Sequence, residues 1–528
     1  GLPKLRVIAT AHIIFEPLKG KITPNAHYSI YDPACGSGGM LTEAEQFALN
    51  ITENKASFIL YGQEVNPETY AICTSDMLIK DKSPENIVYG STLGNDGFMG
   101  KKFDFMLSNP PYGKSWKVDQ DSIQEGKQIL DPRFKEGTPR SSDGQLLFLA
   151  NMAYKMKTST ELGSRVASVH NGSALFTGDA DSGESNLRRW MIENDWLDCI
   201  IGLPKNMFYN TGIATYIFVL SNRKPEHRQG KVQLIDAAEI YQKMRKSLGN
   251  KSYELNKAHI REITDLYLNF EENERSKIFD NDDFGYRKII VERPLRLSCQ
   301  FTDEKVASLR FQESLRDEMT DLYAQYGDKV YEDLTPYKEV ISKHWEATET
   351  KITPANRKKL LKPEFWQTQR TVMETAKELL EHFGEEAYHD FNAFEILLTK
   401  ALKELKLKLS ASDKKQLIQA IGWKNEEAER VIKKKEKDGT IVYEADSELR
   451  DSENVPLQED IDVYFAREVA PHVPDAWIDY SKTTIGYEIS FTKYFYKYQP
   501  LRGLDEITED LWTVEKESEG LLRRILSQ

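Results

Sequence analysis

Short apolar segments alternate with stretches of helical spacing between residues 28 and 236. The segments that carry the strand pattern are residues 28–31, 58–62, 86–89, 103–107, 166–170, 197–202, 214–220 and 231–235. Helices are predicted to begin near Met40 and to run from about residue 143 to residue 157. Strands that alternate with helices are typical of a mostly parallel α/β sheet, so the first part of the chain is predicted to form one.

From about Ser247 the pattern changes to longer, charge-rich helices, with apolar side chains at helical spacing in residues 373–383 and 394–407. The basic run at residues 433–437 is predicted to be the solvated end of a helix, with DNA contact as the alternative. A chain of 528 residues exceeds one ordinary hydrophobic core. Three domains are therefore predicted, at residues 1–245, 246–450 and 451–528.

The last segment carries a heptad pattern, in which apolar residues are separated by three and four positions in turn. The residues of this seam, one of them polar, are Leu504, Ile507, Leu511, Val514, Ser518, Leu521 and Ile525. Such a seam packs either on its own domain or against the helix of a partner, and the sequence leaves both alternatives open. We interpret it as an amphipathic helix for subunit contact.

A glycine-rich turn, Asp32-Pro33-Ala34-Cys35-Gly36-Ser37-Gly38-Gly39, follows the first predicted strand. Glycines permit backbone conformations and close approaches that a Cβ would block. The turn lies at the carboxyl end of its strand, where open α/β sheets bind ligands. Glu64 follows the second strand. An acidic residue roughly 20 positions after such a glycine turn is placed to bind ribose hydroxyls. Together the two strand ends predict a site for a nucleoside-type ligand.

A second motif, Asn109-Pro110-Pro111-Tyr112, follows the predicted strand at residues 103–107. Pro110 has no N–H and disfavours helical backbone at Asn109. The side-chain oxygen of Asn109 and the carbonyl of Pro110 can both accept hydrogen bonds, and Tyr112 can stack on a planar group. The loop therefore suits an amino group on a flat ring, such as N6 of adenine. Each motif alone has a purely structural turn as its alternative, but the pair in this order favours a methyl-transfer site.

The motifs DPACGSGG, QEVNP and SNPPYG resemble those of amino-group methyltransferases that use S-adenosylmethionine. The wider sequence is similar to the methylation (M) subunit of type I restriction-modification systems, which methylates adenine at N6 in DNA. The further segments that carry this resemblance are residues 163–167, 171–176, 203–213, 284–287, 292–295, 468–477 and 485–489. The resemblance implies a Rossmann-like α/β methyltransferase sheet, with the last two predicted strands as an added antiparallel edge, followed by a mainly helical C-terminal region.

The resemblance also implies S-adenosyl-L-methionine as the cofactor and assigns the site residues. Asn109 and Pro110 would accept the two amino hydrogens, and Tyr112 would stack on a base extruded from the duplex, with Pro111 in the same loop. The residues that would bind the cofactor are Asp32, Ala34, Cys35, Gly36, Ser37, Gly38, Gly39, Glu64, Ser91 and Thr92. No metal is expected, because a sulfonium methyl group is already electrophilic.

Individual cofactor-side residues have more specific expectations. Asp32 would orient the turn or bind the amino group of the cofactor, and Glu64 would hold the ribose hydroxyls. Cys35 is expected to be a small residue that packs beside the cofactor rather than a catalytic thiol. Ser91 stands where many relatives carry Asp or Asn, and its hydroxyl can still hydrogen-bond the cofactor's adenine.

The formal net charge of −13 is unexpected for a chain that binds DNA unaided, because phosphate contacts require lysine and arginine. The resemblance implies partners that supply much of the DNA contact. These are a specificity (S) subunit that reads the target, a second M subunit and a restriction (R) subunit, all acting on double-stranded DNA. Relatives begin with a helical domain, whereas this chain opens at Gly1-Leu2-Pro3-Lys4 and is expected to lack it.

No apolar run approaches the ~20 residues that span a bilayer, and no secretory signal opens the chain. The four cysteines form no C-x-x-C pair, which is typical of reduced thiols and disfavours zinc. A cytoplasmic location is therefore predicted. The functional alternatives are a methyltransferase for another planar amino group (N4 of cytosine, guanine in RNA or glutamine in protein) and a catalytically weak scaffold subunit.

Overall fold

The computed structural model describes residues 4–207, 212–248, 251–348, 352–496 and 503–526. Residues 208–211, which belong to the family resemblance, and Pro3 lie outside the described residues. The chain forms two compact units. Unit 1 comprises Gly1–Lys288, Asn454–Asp460 and Thr484–Gln528, and unit 2 comprises Ile289–Glu453 and Ile461–Thr483. The three predicted domains remain predictions.

Within the described residues, unit 1 is built on a sheet of nine strands. The strands are β1 (His27–Asp32), β2 (Ser57–Glu64), β3 (Ile87–Tyr89), β4 (Phe105–Ser108), β5 (Arg165–Asn171), β6 (Leu197–Leu203), β7 (Thr215–Ser221), β8 (Lys231–Asp236) and β9 (Ser276–Asp280). Their order across the sheet is β9-β8-β6-β7-β5-β4-β1-β2-β3. Strands β1 to β5 run parallel to one another, so the predicted α/β sheet is confirmed.

The direction of the later strands corrects one prediction. Strand β7 is antiparallel to both its neighbours, β5 and β6, and therefore lies inside the sheet rather than at its edge. Strand β8 is parallel to β6, and the antiparallel edge is β9, for which no strand was predicted. The local pattern shows that a segment is extended, but it does not show which strand the segment will pair with.

Within the described residues, the longer helices of unit 1 that pack against this sheet are α1 (Lys4–Phe15), α2 (Gly39–Ile51), α3 (Pro67–Ile79), α4 (Gln145–Tyr154), α5 (Gly183–Glu193) and α6 (Lys257–Asn269). Successive strand residues point to opposite faces. Accordingly Ile30 and Phe105 pack with α1, α2, α3 and α6, whereas Tyr31 and Met106 pack with α4 and α5. The sheet is thus covered on both faces, and its carboxyl edge is left for loops.

Shorter elements complete unit 1. Its short helices are Gln120–Ile123, Ser173–Phe176 and Phe491–Phe495, and its hairpins pair Gln124–Glu125 with Gln128–Ile129 and Gln242–Leu248 with Lys251–Glu254. Thr484–Tyr487 pairs with the first half of strand Gly285–Glu292, and a further strand is Asp451–Pro456.

The predicted C-terminal helix is present as Leu504–Leu526. The described seam residues are exposed, with Leu504 at 82%, Leu511 at 64% and Val514 at 62%. The side chains of Leu521 and Ile525 lie outside the described residues. Over its described part, the seam is therefore not covered by its own unit.

Unit 2 is mainly helical, which confirms the helical region predicted after the sheet. Its helices are Asp303–Ser308, Arg316–Tyr326, Lys338–Ala347, Pro354–Leu360, Pro363–Phe383, Phe391–Glu404, Ala411–Ile421 and Ile461–Tyr464. Strand Leu297–Gln300 pairs with Ala387–Tyr388 and Gly422–Lys424, and Trp477–Ile478 forms a further short strand. In the described chain, no helix has the length and apolar character needed to cross a membrane.

The basic run corrects a second prediction. Ile432–Lys435 is an exposed strand in a hairpin with Ile441–Tyr443, not the end of a helix. Lys433 pairs with Glu444 at 3.5 Å, and Lys434 pairs with Glu436 at 2.8 Å. A run of lysines shows that a segment is solvated, but it has no periodicity that would separate helix from strand.

Candidate active site

The glycine turn joins β1 to α2 at the carboxyl edge of the sheet. Gly36 and Gly38 have φ angles of +54° and +77°, a region that side-chain-bearing residues rarely adopt. A Cβ on Gly38 would lie 2.7 Å from Met77 Cε and 2.9 Å from Cys73 Sγ. A Cβ on Gly36 would meet no described atom within 4 Å. The left-handed backbone thus favours glycine at both positions. At Gly38, the close packing against α3 is a second constraint.

Glu64, at the end of β2, holds the turn through the backbone. Its Oε2 accepts the N–H of Gly36 at 2.9 Å, and its Oε1 accepts the N–H of Asn66 at 2.8 Å. Asn66 in turn caps α3, because its side chain accepts the N–H of Thr69 at 2.9 Å. One carboxylate therefore connects the glycine turn, the end of β2 and the start of α3.

Asp32 is buried at the end of β1. Its Oδ1 accepts the N–H of Ala34 at 3.0 Å and the hydroxyl of Ser108 at 2.9 Å. Burial raises the pKa of Asp32 to about 7, the two hydrogen bonds oppose this shift, and the charge of Glu64 adds to it. With 1% of its surface exposed, the side chain orients the turn and has little access to a ligand.

The acceptor loop at residues 109–112 leaves β4 on the neighbouring strand end. Asn109 and Pro111 are exposed, whereas Pro110 is buried. Tyr112 is half-buried and packs against the apolar core of the α1 face. Its hydroxyl donates a hydrogen bond to Asn109 Oδ1. The oxygen that sequence reasoning assigns to an amino group therefore already accepts a hydrogen bond from within its own loop.

A cavity of about 590 Å³ lies between the two loops, within the range of small-molecule sites. The predicted residues that line it are Ala34, Glu64, Ser91, Thr92, Asn109 and Pro111. The others, which lie outside its lining, are Asp32, Cys35, Gly36, Ser37, Gly38, Gly39, Pro110 and Tyr112. Sequence reasoning missed lining residues such as Asn66, Lys114, Trp116 and Phe148. Residues predicted for the donor side and for the acceptor side thus face one cavity.

The loop after β3 forms another wall of the cavity. The Thr92 hydroxyl donates to the Pro33 carbonyl at 2.5 Å, which joins this loop to the glycine turn. Ser91 Oγ accepts the N–H of Gly94 at 3.3 Å. Cys35 is buried, and a hydrogen bond with Cys73 together with that burial raises the pKa of its thiol. Its interpretation as a residue that packs beside the cofactor stays a prediction.

Two buried side chains that were not among the predicted site residues hold the same loop. Gln63 Nε2 donates to the carbonyls of Gly90 and Asn95 at 3.3 and 2.7 Å. Arg133 donates to the Thr92 and Leu93 carbonyls at 2.7 and 2.9 Å. Gln63 stands next to Glu64 in the QEVNP motif, so this position could have identified it from the sequence. Arg133 lies about 40 residues after Thr92 and Leu93, in a polar segment without a motif. No sequence signal therefore identified it.

Comparison with known proteins identifies relatives of this chain. The model of the N-6 DNA methylase family matches residues 9–286. The type I restriction enzyme MjaIX methylase subunit of Methanocaldococcus jannaschii is 29% identical over 271 residues, which are 49% of this chain and 44% of that protein. The HindI methylase subunit of Haemophilus influenzae is 30% identical over 229 residues, 43% of this chain and 46% of that protein. The chain spans about half the length of the curated relatives it matches.

Among solved structures, the type I restriction-modification methyltransferase subunit from Streptococcus thermophilus is 24% identical, with a TM-score of 0.44. The aligned part covers 53% of this chain and 56% of that chain. The family match extends over more than half of the sequence and includes the glycine turn, Glu64 and the acceptor loop. The chain belongs to the N-6 DNA methylase family.

Proposed function

We propose that this chain transfers a methyl group from S-adenosyl-L-methionine to N6 of adenine in double-stranded DNA, as the methylation subunit of a type I restriction-modification system. The observation that carries the proposal is the shared cavity. Glu64 and Ala34 from the donor side and Asn109 from the acceptor side line the same 590 Å³ space. The membership of the N-6 DNA methylase family supports the choice of chemistry.

The cofactor side fits a nucleoside with an amino-acid tail. S-adenosylmethionine, when bound, supplies a methyl group on a positively charged sulfur. The left-handed backbone at Gly36 and Gly38 allows a ligand to approach the main chain closely. Glu64 would bind the ribose hydroxyls, and Ser91 would hydrogen-bond the adenine ring from the opposite wall. Asp32 would act through the turn that it orients.

The acceptor side has to activate a poor nucleophile. The lone pair of an adenine amino nitrogen is delocalised into the ring, so the enzyme must align it and favour its pyramidal form. Asn109 Oδ1 and the Pro110 carbonyl would accept the two amino hydrogens, which draws charge toward the nitrogen as it attacks. This is stabilisation realised in the transition state together with positioning. The exposure of Asn109 leaves its side chain accessible to an extruded base.

The proposed partners follow from charge and from the C-terminal helix. A net charge of −13 favours a division in which other chains supply much of the phosphate contact. The exposed seam at Leu504, Leu511 and Val514 suits a partner helix. We assign this surface to the S subunit, which would select the target, and we include a second M subunit and the R subunit in the assembly. With DNA as its substrate, the chain would act in the cytoplasm.

The direct test is methyl transfer. The chain is incubated with tritiated S-adenosylmethionine and unmethylated plasmid DNA, with and without its S subunit, and the DNA is digested to nucleosides. Label in N6-methyladenine is the expected result. Label in N4-methylcytosine, or transfer only to RNA or protein, would contradict the adenine assignment. Cofactor binding without transfer to any of these acceptors would favour the scaffold alternative.

A further inference from the structure

The backbone after the acceptor loop is fastened to the segment that precedes α4. The N–H of Gly113 donates to Asp143 Oδ1 at 3.1 Å, directly after Tyr112. The N–H of Gly144 donates to the Lys114 carbonyl at 3.0 Å. The backbone just after the acceptor loop is therefore held by two hydrogen bonds, one that it donates and one that it accepts. Both bonds join it to residues about 30 positions further along the chain.

Trp116 extends this attachment. Its backbone N–H donates to the Ser141 carbonyl at 3.1 Å, and its indole Nε1 donates to the Arg140 carbonyl at 3.0 Å. A Cβ on Gly144 would lie 3.2 Å from Trp116 Cβ and Cδ1, so the two segments are in close contact. Trp116 also lines the cavity, although only 3% of it is exposed. We call the contacts between residues 113–116 and residues 140–145 the clamp, and Trp116 is its buried end.

Asp143 is the centre of the clamp because its carboxylate has four donor groups within hydrogen-bond distance. Oδ1 accepts the N–H of Gly113 and, at 3.3 Å, the N–H of Gln145. Oδ2 accepts Gln145 Nε2 at 2.8 Å and lies 3.1 Å from the Ser173 hydroxyl, whose single proton is also within reach of Asn171 Oδ1 at 2.6 Å. An ionised carboxylate offers about four lone-pair sites, so the N–H of Gly113 and the two donors of Gln145 occupy three of them and the Ser173 hydroxyl stands at the fourth.

Gln145 carries the clamp across to the end of β5. Its Oε1 accepts the N–H of Asn171 at 3.1 Å, and its Nε2 lies 2.7 Å from Asn171 Oδ1. It is 2% exposed, so these bonds are shielded from water. Asp143 and Gln145 thereby connect the acceptor loop after β4 to the end of the neighbouring strand β5.

We infer that Asp143 and Gln145 are positioning residues for methyl transfer, which lock the exit of the acceptor loop so that Asn109 and Pro110 keep their place at the cavity. This inference rests on the proposed function for its catalytic consequence. The physical reason is that a loop held at one end only samples many backbone positions, whereas transfer requires the acceptor oxygens to be fixed to a fraction of an ångström.

The donor count gives a specific way to break the clamp. In Asp143→Asn an NH₂ group replaces one carboxylate oxygen. Placed at Oδ2, this NH₂ faces the Nε2 donor of Gln145, so two donors oppose each other. Turning the Gln145 amide would remove that clash, but it would place the Gln145 NH₂ against the N–H of Asn171. Placed at Oδ1, it meets the N–H of Gly113. The double variant Asp143→Asn/Gln145→Glu restores one donor–acceptor pair at unchanged net charge, because the introduced amide would then donate to the introduced carboxylate. Its rescue is partial, because the carboxylate oxygen that replaces Gln145 Nε2 would lie against Asn171 Oδ1.

Amide hydrogen exchange on the full chain tests the clamp without requiring any activity. Asp143→Asn is expected to raise exchange over residues 109–116 about tenfold, with the glycine-turn peptide at residues 32–41 unchanged and the double variant between Asp143→Asn and wild type. Asp390→Asn is the matched control, since Asp390 accepts two backbone N–H groups at the start of helix Phe391–Glu404 in unit 2. Unchanged exchange over residues 109–116, or a rise spread evenly over unit 1, would overturn the inference.

Kinetics with tritiated cofactor and unmethylated plasmid DNA give the functional readout. Asp143→Asn should lower kcat about 100-fold while the Kd for S-adenosylmethionine stays within about twofold, and the double variant should recover part of kcat. Equal loss of cofactor binding, or no recovery in the double variant, would indicate a general structural role. If the wild-type chain transfers no methyl group, the proposed function fails, whereas the exchange experiment still decides whether the clamp exists.

Discussion

The Ser108 hydroxyl donates a hydrogen bond to Asp32 Oδ1 at 2.9 Å, joining the last residue of β4 to the last residue of β1. The glycine turn begins immediately after Asp32, and the acceptor loop begins immediately after Ser108. Both residues are buried, at 1% and 0% exposure. The two loops of the candidate site therefore start from one shared, water-excluded contact.

Ser108→Ala should lower the free energy of unfolding by about 1–3 kcal/mol, because a buried carboxyl group loses a partner. Denaturant unfolding measures this change. Ser168→Ala is the matched control: Ser168 is the register partner of Ser108 on β5, it is equally buried, and its hydroxyl has no hydrogen-bond partner among the described residues. The control should be near neutral, and an equal loss in both variants would contradict the role of the Asp32 contact.

Asp32→Asn should change how stability depends on pH. Burial raises the Asp32 pKa from 3.8 to about 7, so between these values the folded chain keeps a proton that the unfolded chain has lost. Wild-type stability should therefore fall as pH rises from about 4 to about 7 and level off above. The variant has no such proton, so its stability relative to wild type should increase over this window, by an amount on the order of a few kcal/mol. Unfolding free energies at pH 4, 5.5 and 8 measure the difference, and parallel curves would be inconsistent with a raised pKa.

Glu64→Gln should weaken binding of S-adenosylmethionine about tenfold or more. The amide would offer one acceptor where the carboxylate now receives the N–H groups of Gly36 and Asn66, and its NH₂ would oppose one of them. Calorimetric titration with the cofactor measures the Kd. Glu68→Gln, in the exposed first turn of α3, is the control and should bind like wild type. Equal affinity of the Glu64 variant would remove Glu64 from the proposed site.

Asn109→Ala should reduce methyl transfer by about 10²–10³-fold and leave cofactor binding intact, because the lost acceptor acts on the amino group in the transition state. Tyr112→Phe keeps the ring but removes the hydroxyl that bonds to Asn109 Oδ1. It should therefore retain transfer within about tenfold of wild type. Single-turnover assays with labelled cofactor separate the two variants. Wild-type rates in Asn109→Ala would refute its assigned role.

Deletion of residues 504–528 should abolish co-purification with the S subunit and leave cofactor affinity unchanged, since the described part of the seam is exposed. Paired pull-down and titration experiments check this. Replacement of Ile396 and Leu397 by serine is the control, because these are exposed apolar residues on a helix of unit 2. Co-purification that survives the deletion would assign the S contact elsewhere.

Strands β1 to β8 and helices α2 and α4 could be predicted because a packed α/β sheet imposes periods of two and of about 3.6 on its apolar residues. Pairing could not, since β7 and β8 look alike as segments but run in opposite directions. The site shows the same division. Glu64 and Asn109 stand in motifs that expose their chemistry, whereas Arg133 and Asp143 act through contacts made by distant polar loops that leave no local pattern.

The close approach of Gly38 to α3 affects how substitutions in the glycine turn should be interpreted. An alanine at Gly38 would press on Met77 and Cys73 before any ligand is present. An alanine at Gly36 would extend into open space, with only the cost of its backbone conformation. Loss of activity at the two positions would thus have different origins. Shortening Met77 would relieve one of the two contacts at Gly38 without changing its left-handed backbone, and it would leave the Gly36 variant unaffected. What reads as one run of glycines in this protein therefore contains two separate steric constraints.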